Sequence, residues 1–156
     1  MSTEKTWQMH SRSSEDTEAL GERIGAHLRG GEVIELVSDL GGGKTTFTRG
    51  LARGAGSADR VASPTFTVSR EYRAAKFTIV HFDFYRLQDA GVVAEELREY
   101  VGAPDAVVVV EWGGIVDEVL PASRLVIDIR QSGEETRDIH CRYSREFAYL
   151  LEGVAS

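Results

Sequence analysis

The sequence predicts a mixed α/β domain whose central sheet is partly antiparallel and flanked by helices. Three observations carry this expectation. A glycine-rich turn, SDLGGGKTT, joins a short apolar, β-branched run to a helix-forming stretch. A second apolar run, AVVVVEW (106–112), has the length and composition of a buried strand. Two further regions alternate apolar and polar residues around turns, as hairpins do, so the element order departs from strict βαβ alternation. With 156 residues the chain is expected to form one domain spanning 1–156, with residues 1–13 irregular.

In chain order, Ser14 is read as the cap of a first helix, EDTEALGERIGAHL. Its Leu20, Ile24 and Leu28 recur every four residues and acids fill its first turn; Gly30-Gly31 ends it. EVIELV (32–37) is a buried strand. After the glycine turn, TTFTRGLARG forms a helix with Phe47 and Leu51 on one face and Gly54 as its stop. Ser63-Pro64 marks a turn. Alternation from Phe66 through Glu71, a RAAK link and FTIVHFDFY read as two antiparallel strands. VVAEELREYV (92–101) is a helix, RLVIDIR and TRDIHCRY form a hairpin turning at Gly133, and REFAYLLEGV is a short final helix.

Composition narrows the function classes. Hydrophobic residues at 42% and charged residues at 28% suit a soluble globular chain, and no apolar run approaches a membrane span. The polar start lacks the core of a signal peptide, so a cytoplasmic location is expected. Cys141 is the only cysteine and the four histidines lack metal-ligand spacing, which sets aside an intrachain disulfide and structural zinc. A formal charge of −7 argues against gripping DNA or RNA unaided. Arg49 and Arg53, one helical turn apart, are the candidates for a local basic patch.

The glycine turn departs at one position from the phosphate-binding pattern G-x-x-x-x-G-K-[ST]: Ser38 stands where the first glycine belongs. The rest is that of a phosphate cradle. Ser38, Asp39, Leu40, Gly41, Gly42 and Gly43 follow a strand and open a helix, whose first amides and dipole favour an anion. Lys44 offers an ammonium to the β- and γ-phosphates, and the Thr45 hydroxyl, followed by Thr46, offers a ligand to Mg²⁺. Serine at 38 is cheap if its φ is negative and costs on the order of 1–2 kcal/mol if it is positive.

Such a site needs a carboxylate at the end of an apolar strand, and two are offered: Glu111 ends VVVVE and Asp83 ends FTIVHFD. Glu111 is assigned toward Mg²⁺, and Asp83 toward metal-bound or attacking water; the residues leave that division open. Thr65 in SPTF has the position of a switch threonine, and Trp112 is either core or the rim of the site. The chain has no asparagine, so the N-K-x-D guanine-reading pattern is absent, as is an S-G-G-Q signature. A small-molecule kinase remains an alternative. Arg70, Arg73 and Arg86 are available to it, but no lid-like insertion is evident.

SDLGGGKTTFTRG, SPTFTVSREY, HFDFYRL and VVEW occur here in the order and spacing of the bacterial TsaE family, which the chain resembles from about Thr17 to Arg137. The resemblance implies a P-loop α/β domain with a mixed sheet. It implies an ATPase that uses ATP and Mg²⁺ and works with the proteins TsaB and TsaD. Together they form N6-threonylcarbamoyladenosine at position 37 of tRNAs that read codons beginning with A. It further implies that TsaD carries out the transfer, that tRNA is met through the complex, and that ATP hydrolysis supports repeated rounds. Nucleotide gating without essential hydrolysis is the competing reading. By matched position, Lys44 and Thr45 are the phosphate and metal residues, Glu111 resembles the metal ligand, Asp83 the acid supporting hydrolysis, and Trp112 part of the site. Thr17 and Arg137 resemble nucleotide contacts. Ser38 and Gly42 depart from the family's glycine and its common alanine.

Overall fold

The computed structural model describes residues 4–38, 43–61, 69–85 and 91–154. Among the described residues, seven strands form one sheet: β1 (Glu4–Ser11), β2 (Val33–Val37), β3 (Ser69–Arg73), β4 (Thr78–Asp83), β5 (Ala106–Glu111), β6 (Leu125–Gln131) and β7 (Arg137–Ser144). Their spatial order is β1-β7-β6-β2-β5-β4-β3. The four central strands are parallel, whereas β3, β7 and β1 each pair antiparallel with their neighbours. The mixed α/β architecture expected from the sequence is therefore present.

Alternation along the strands sends successive side chains to opposite faces. One face, with Ile34, Leu36, Val107, Val109 and Ile127, packs on α1 (Ser14–Ala26) and α2 (Lys44–Gly54) through Leu20, Ile24, Phe47 and Leu51. The other, with Val80, Phe82, Val108 and Val110, packs on Leu97 of α3 (Gly91–Tyr100) and on Val116 of a 3-10 helix, Gly113–Val116. All six residues of β5 are buried because both of its faces are covered, which is why it reads as a continuous apolar run.

Four local expectations are corrected. Residues 4–11 are not irregular. They form β1, an edge strand that sends Trp7 and Met9 toward the core while its other side stays polar. The cap of α1 is Ser13 rather than Ser14: its Oγ accepts from the Asp16 N–H at 3.2 Å, and Asp16 turns back to accept from the Arg12 N–H. The helix ends at Ala26, before Gly30-Gly31, because the chain tightens into hydrogen bonds from His27 to Ile24 and from Leu28 to Gly25. The last helix, Arg145–Leu151, is 3-10. The Ser63-Pro64 turn, Thr65, Phe66 and Arg86 lie outside the described residues. Among the described residues, no helix is long and apolar enough to cross a membrane.

Candidate functional site

The carboxyl ends of the parallel strands share one edge of the sheet, and acids collect there. In the parallel registers Glu111 lies opposite both Leu36 of β2 and Asp83 of β4, so the two carboxylates come from adjacent strand ends. Ser38, just past β2, is buried. Trp112 is the sole non-glycine residue with positive φ among the described residues, so serine at 38 carries no left-handed strain. Asp39, Leu40, Gly41 and Gly42 lie outside the described residues.

Gly43 caps α2 at φ 100°, a left-handed geometry suited to glycine. A Cβ there would meet only ordinary contacts, Arg137 Nε at 3.7 Å and Ile129 Cγ2 at 3.8 Å, so backbone conformation rather than space calls for glycine. Gly43 gives α2 no side-chain cap, which leaves the positive end of the helix dipole facing the loop. Lys44 opens the helix and is buried; its Nζ lies 3.8 Å from Glu111 Oε1 and 4.9 Å from the centre of the Trp112 ring.

A carboxylate as buried as Glu111 needs partners to offset its lost hydration. Besides Lys44 it has His81, whose Nε2 is 2.5 Å from Glu111 Oε2. Asp83 is half-buried. Its burial, reinforced by the charge of Glu111, raises its carboxyl above the ordinary range, and the Tyr85 N–H, 3.0 Å from Oδ1, works in the opposite sense. Trp112 does not join the core: 38% exposed, it packs against Tyr85 with ring centres 5.0 Å apart and rims the acid–lysine group.

A second group lies beside the start of α2. A cavity of about 210 Å³ is lined by Ser14 and Thr17 of α1, Gly43 and Thr46, and Arg137 of β7, with Glu134 and Glu135 from the hairpin turn. Thr17 and Arg137, far apart in the chain, thus meet next to the phosphate-loop helix. The Ser11 hydroxyl donates to Ser13 O at 2.8 Å, so the Thr17 hydroxyl, 2.7 Å away, is the donor to Ser11 Oγ. That bond anchors the wall of the cavity to β1. Arg49 and Arg53, by contrast, make no free basic patch; both pair with Glu18, and Arg53 also reaches Glu22.

The donor set suits magnesium. Glu111, Asp83 and the Thr45 hydroxyl are hard oxygen donors around one strand edge and one helix start. Among the described residues, no three His, Cys, Asp or Glu side chains form a metal cage. Mg²⁺ on a nucleotide needs only one or two protein carboxylates, because phosphate oxygens and water complete its shell. Ser14, in the SEDT segment that resembles the family's nucleotide-contact element, does line the cavity, whereas His81, Glu134 and Glu135 do not stand out in the sequence. For His81 the signal was present in HFD: a histidine two residues before Asp83 on a strand must share its face.

The family model for "Threonylcarbamoyl adenosine biosynthesis protein TsaE" matches residues 11–139. A tRNA threonylcarbamoyladenosine biosynthesis protein TsaE from Bacillus subtilis is 40% identical over 127 residues, covering 80% of this chain and 78% of that protein. The protein of the same name from Treponema pallidum is 36% identical over 134 residues, covering 83% of this chain and 95% of that one. The crystal structure of Bacillus subtilis YdiB superposes with a TM-score of 0.81 at 32% identity, over 98% of this chain and 96% of the other.

Proposed function

This chain belongs to the TsaE family, and on that premise we propose that it binds and hydrolyses Mg²⁺–ATP in support of tRNA threonylcarbamoyladenosine formation. The modified base is adenosine 37 of tRNAs reading codons that begin with A, and the working assembly includes TsaB and TsaD, of which TsaD carries out the transfer itself. The observation that best supports the reading is the Lys44–Glu111 pair. A buried lysine at the start of the loop helix, 3.8 Å from the acid that ends the adjacent strand, is the arrangement phosphoryl transfer uses.

The triphosphate would be bound at the start of α2, where the uncapped helix end and Lys44 favour an anion. Lys44 offsets charge that develops on the transferring phosphoryl group. Thr45 and Glu111, with Asp83 beside them, would hold a magnesium ion, which when bound would supply positive charge against the phosphoryl oxygens. Asp83, on the strand end next to Glu111, orients the attacking water. The cavity of Thr17, Thr46 and Arg137 receives the nucleoside end. Turnover by the chain alone is slow, and TsaB and TsaD complete the site.

The test is reconstituted tRNA modification with TsaB and TsaD, alongside direct ATPase assays. Lys44→Ala is expected to lower hydrolysis by about 10²–10³-fold while unfolding stays cooperative; equal rates in variant and parent would overturn the assignment. A Glu111→Gln chain that binds ATP and still sustains every round of modification would replace hydrolysis with nucleotide-gated docking.

A further inference from the structure

We propose that His81 is a positioning residue that holds one oxygen of Glu111 and thereby turns the other, Oε1, toward Lys44 and the phosphate side. Tyr72 fixes which ring nitrogen carries the donated proton. The proposal rests on the reading of this edge as a magnesium–nucleotide centre and deepens it.

Three side chains on three neighbouring strands form the device. Tyr72 lies on β3, His81 on β4 and Glu111 on β5, and all three are buried. The pairings set them on diagonals: Tyr72 is opposite Ile79 rather than His81, and Glu111 opposite Asp83 rather than His81. Long side chains bridge such diagonals. The Tyr72 hydroxyl is 3.3 Å from His81 Nδ1, and His81 Nε2 is 2.5 Å from Glu111 Oε2.

The roles follow from what each atom can do. An ionised carboxylate only accepts, so Nε2 must be the donor to Glu111. In a neutral imidazole the other nitrogen then accepts, and the Tyr72 O–H is the donor that meets it. The Lys44 ammonium, 3.8 Å from Oε1, neutralises the carboxylate but is too distant to hydrogen-bond and fix its rotation. His81 supplies that constraint, as groups behind metal ligands commonly do. The carboxylate oxygen left toward the loop is therefore always the same one.

Two measurements test this. Nitrogen-15 NMR of the full chain, with His81 assigned through a His81→Gln variant, should show a proton on Nε2; a ring protonated at Nδ1 alone overturns the proposal. This is read on the parent, so a variant that fails to fold does not remove the test. Manganese, used in place of magnesium, is then titrated with ATP by paramagnetic resonance. His81→Leu should weaken metal binding by about 10–100-fold, with ATP binding in chelator unchanged. His81→Gln, which restores an amide donor, should stay within about threefold of the parent. Parent-like binding by His81→Leu, or equal loss in both variants, overturns the positioning role. A parent that takes no manganese with ATP removes instead the metal–nucleotide reading beneath it.

Discussion

Asp83 sits half-buried on the strand next to Glu111, and burial with that neighbouring charge raises its carboxyl above the ordinary range, so the folded chain bears a cost for ionising it. Because the folded-state pKa is raised, the native state binds this proton more tightly than the unfolded chain does. Stability therefore falls as pH rises from the ordinary carboxylate range through the raised value, and the loss is complete above it. Asp83→Asn should raise the thermal unfolding midpoint at neutral pH while hydrolysis is lost, and the gain should vanish below the ordinary carboxylate range. A pH series of melts reads this; a lowered neutral-pH midpoint would contradict it. At this scale the sequence exposed the acids well, since an apolar run that ends in a carboxylate announces a strand edge. His81 was harder. Its meaning lies in partners on two other strands, and pairing register is a property of the folded sheet that no local window contains.

The contact between α1 and α2 decides how their elements can vary. Gly21 and Gly25 on one helix face Gly50 and Gly54 on the other, and a Cβ on any of the four would lie 1.9–2.3 Å from a carbonyl oxygen of the opposite helix. Replacing an exposed helical glycine by alanine ordinarily gains up to about 1 kcal/mol. Here the backbone itself is in the way, and overpacking costs about 1–3 kcal/mol or more. Gly50→Ala should thus lower the denaturant midpoint; an unchanged or higher midpoint would refute the close packing. The four-residue glycine spacing was visible on both helices, yet Gly54 read as a stop signal, because a breaker and a packing face use the same residue. β1 went unread for a different reason: as an edge strand it buries only one side, and Trp7 and Met9 are a thin apolar signal among polar neighbours.

For the whole molecule, the charge of −7 opposes contact with an RNA backbone, and the candidate basic pair is already neutralised by Glu18 and Glu22. The chain alone should not retard tRNA in a gel at physiological salt, whereas a mixture with TsaB and TsaD should; a salt-sensitive complex with the chain alone would contradict this. The mixed sheet was legible because buried parallel strands and half-exposed hairpins differ in pattern, but the order of strands was not, since it depends on contacts between distant segments. One of those contacts governs assembly. β1 pairs with β7 along its full length, so a strand at residues 4–11 waits for one at residues 137–144. Until β7 has been synthesised, β1 lacks that lateral partner, and the Ser11 hydroxyl bonded to Thr17 reaches its place only when the β6–β7 hairpin docks. The cavity wall would accordingly mature last, after the parallel centre has already formed.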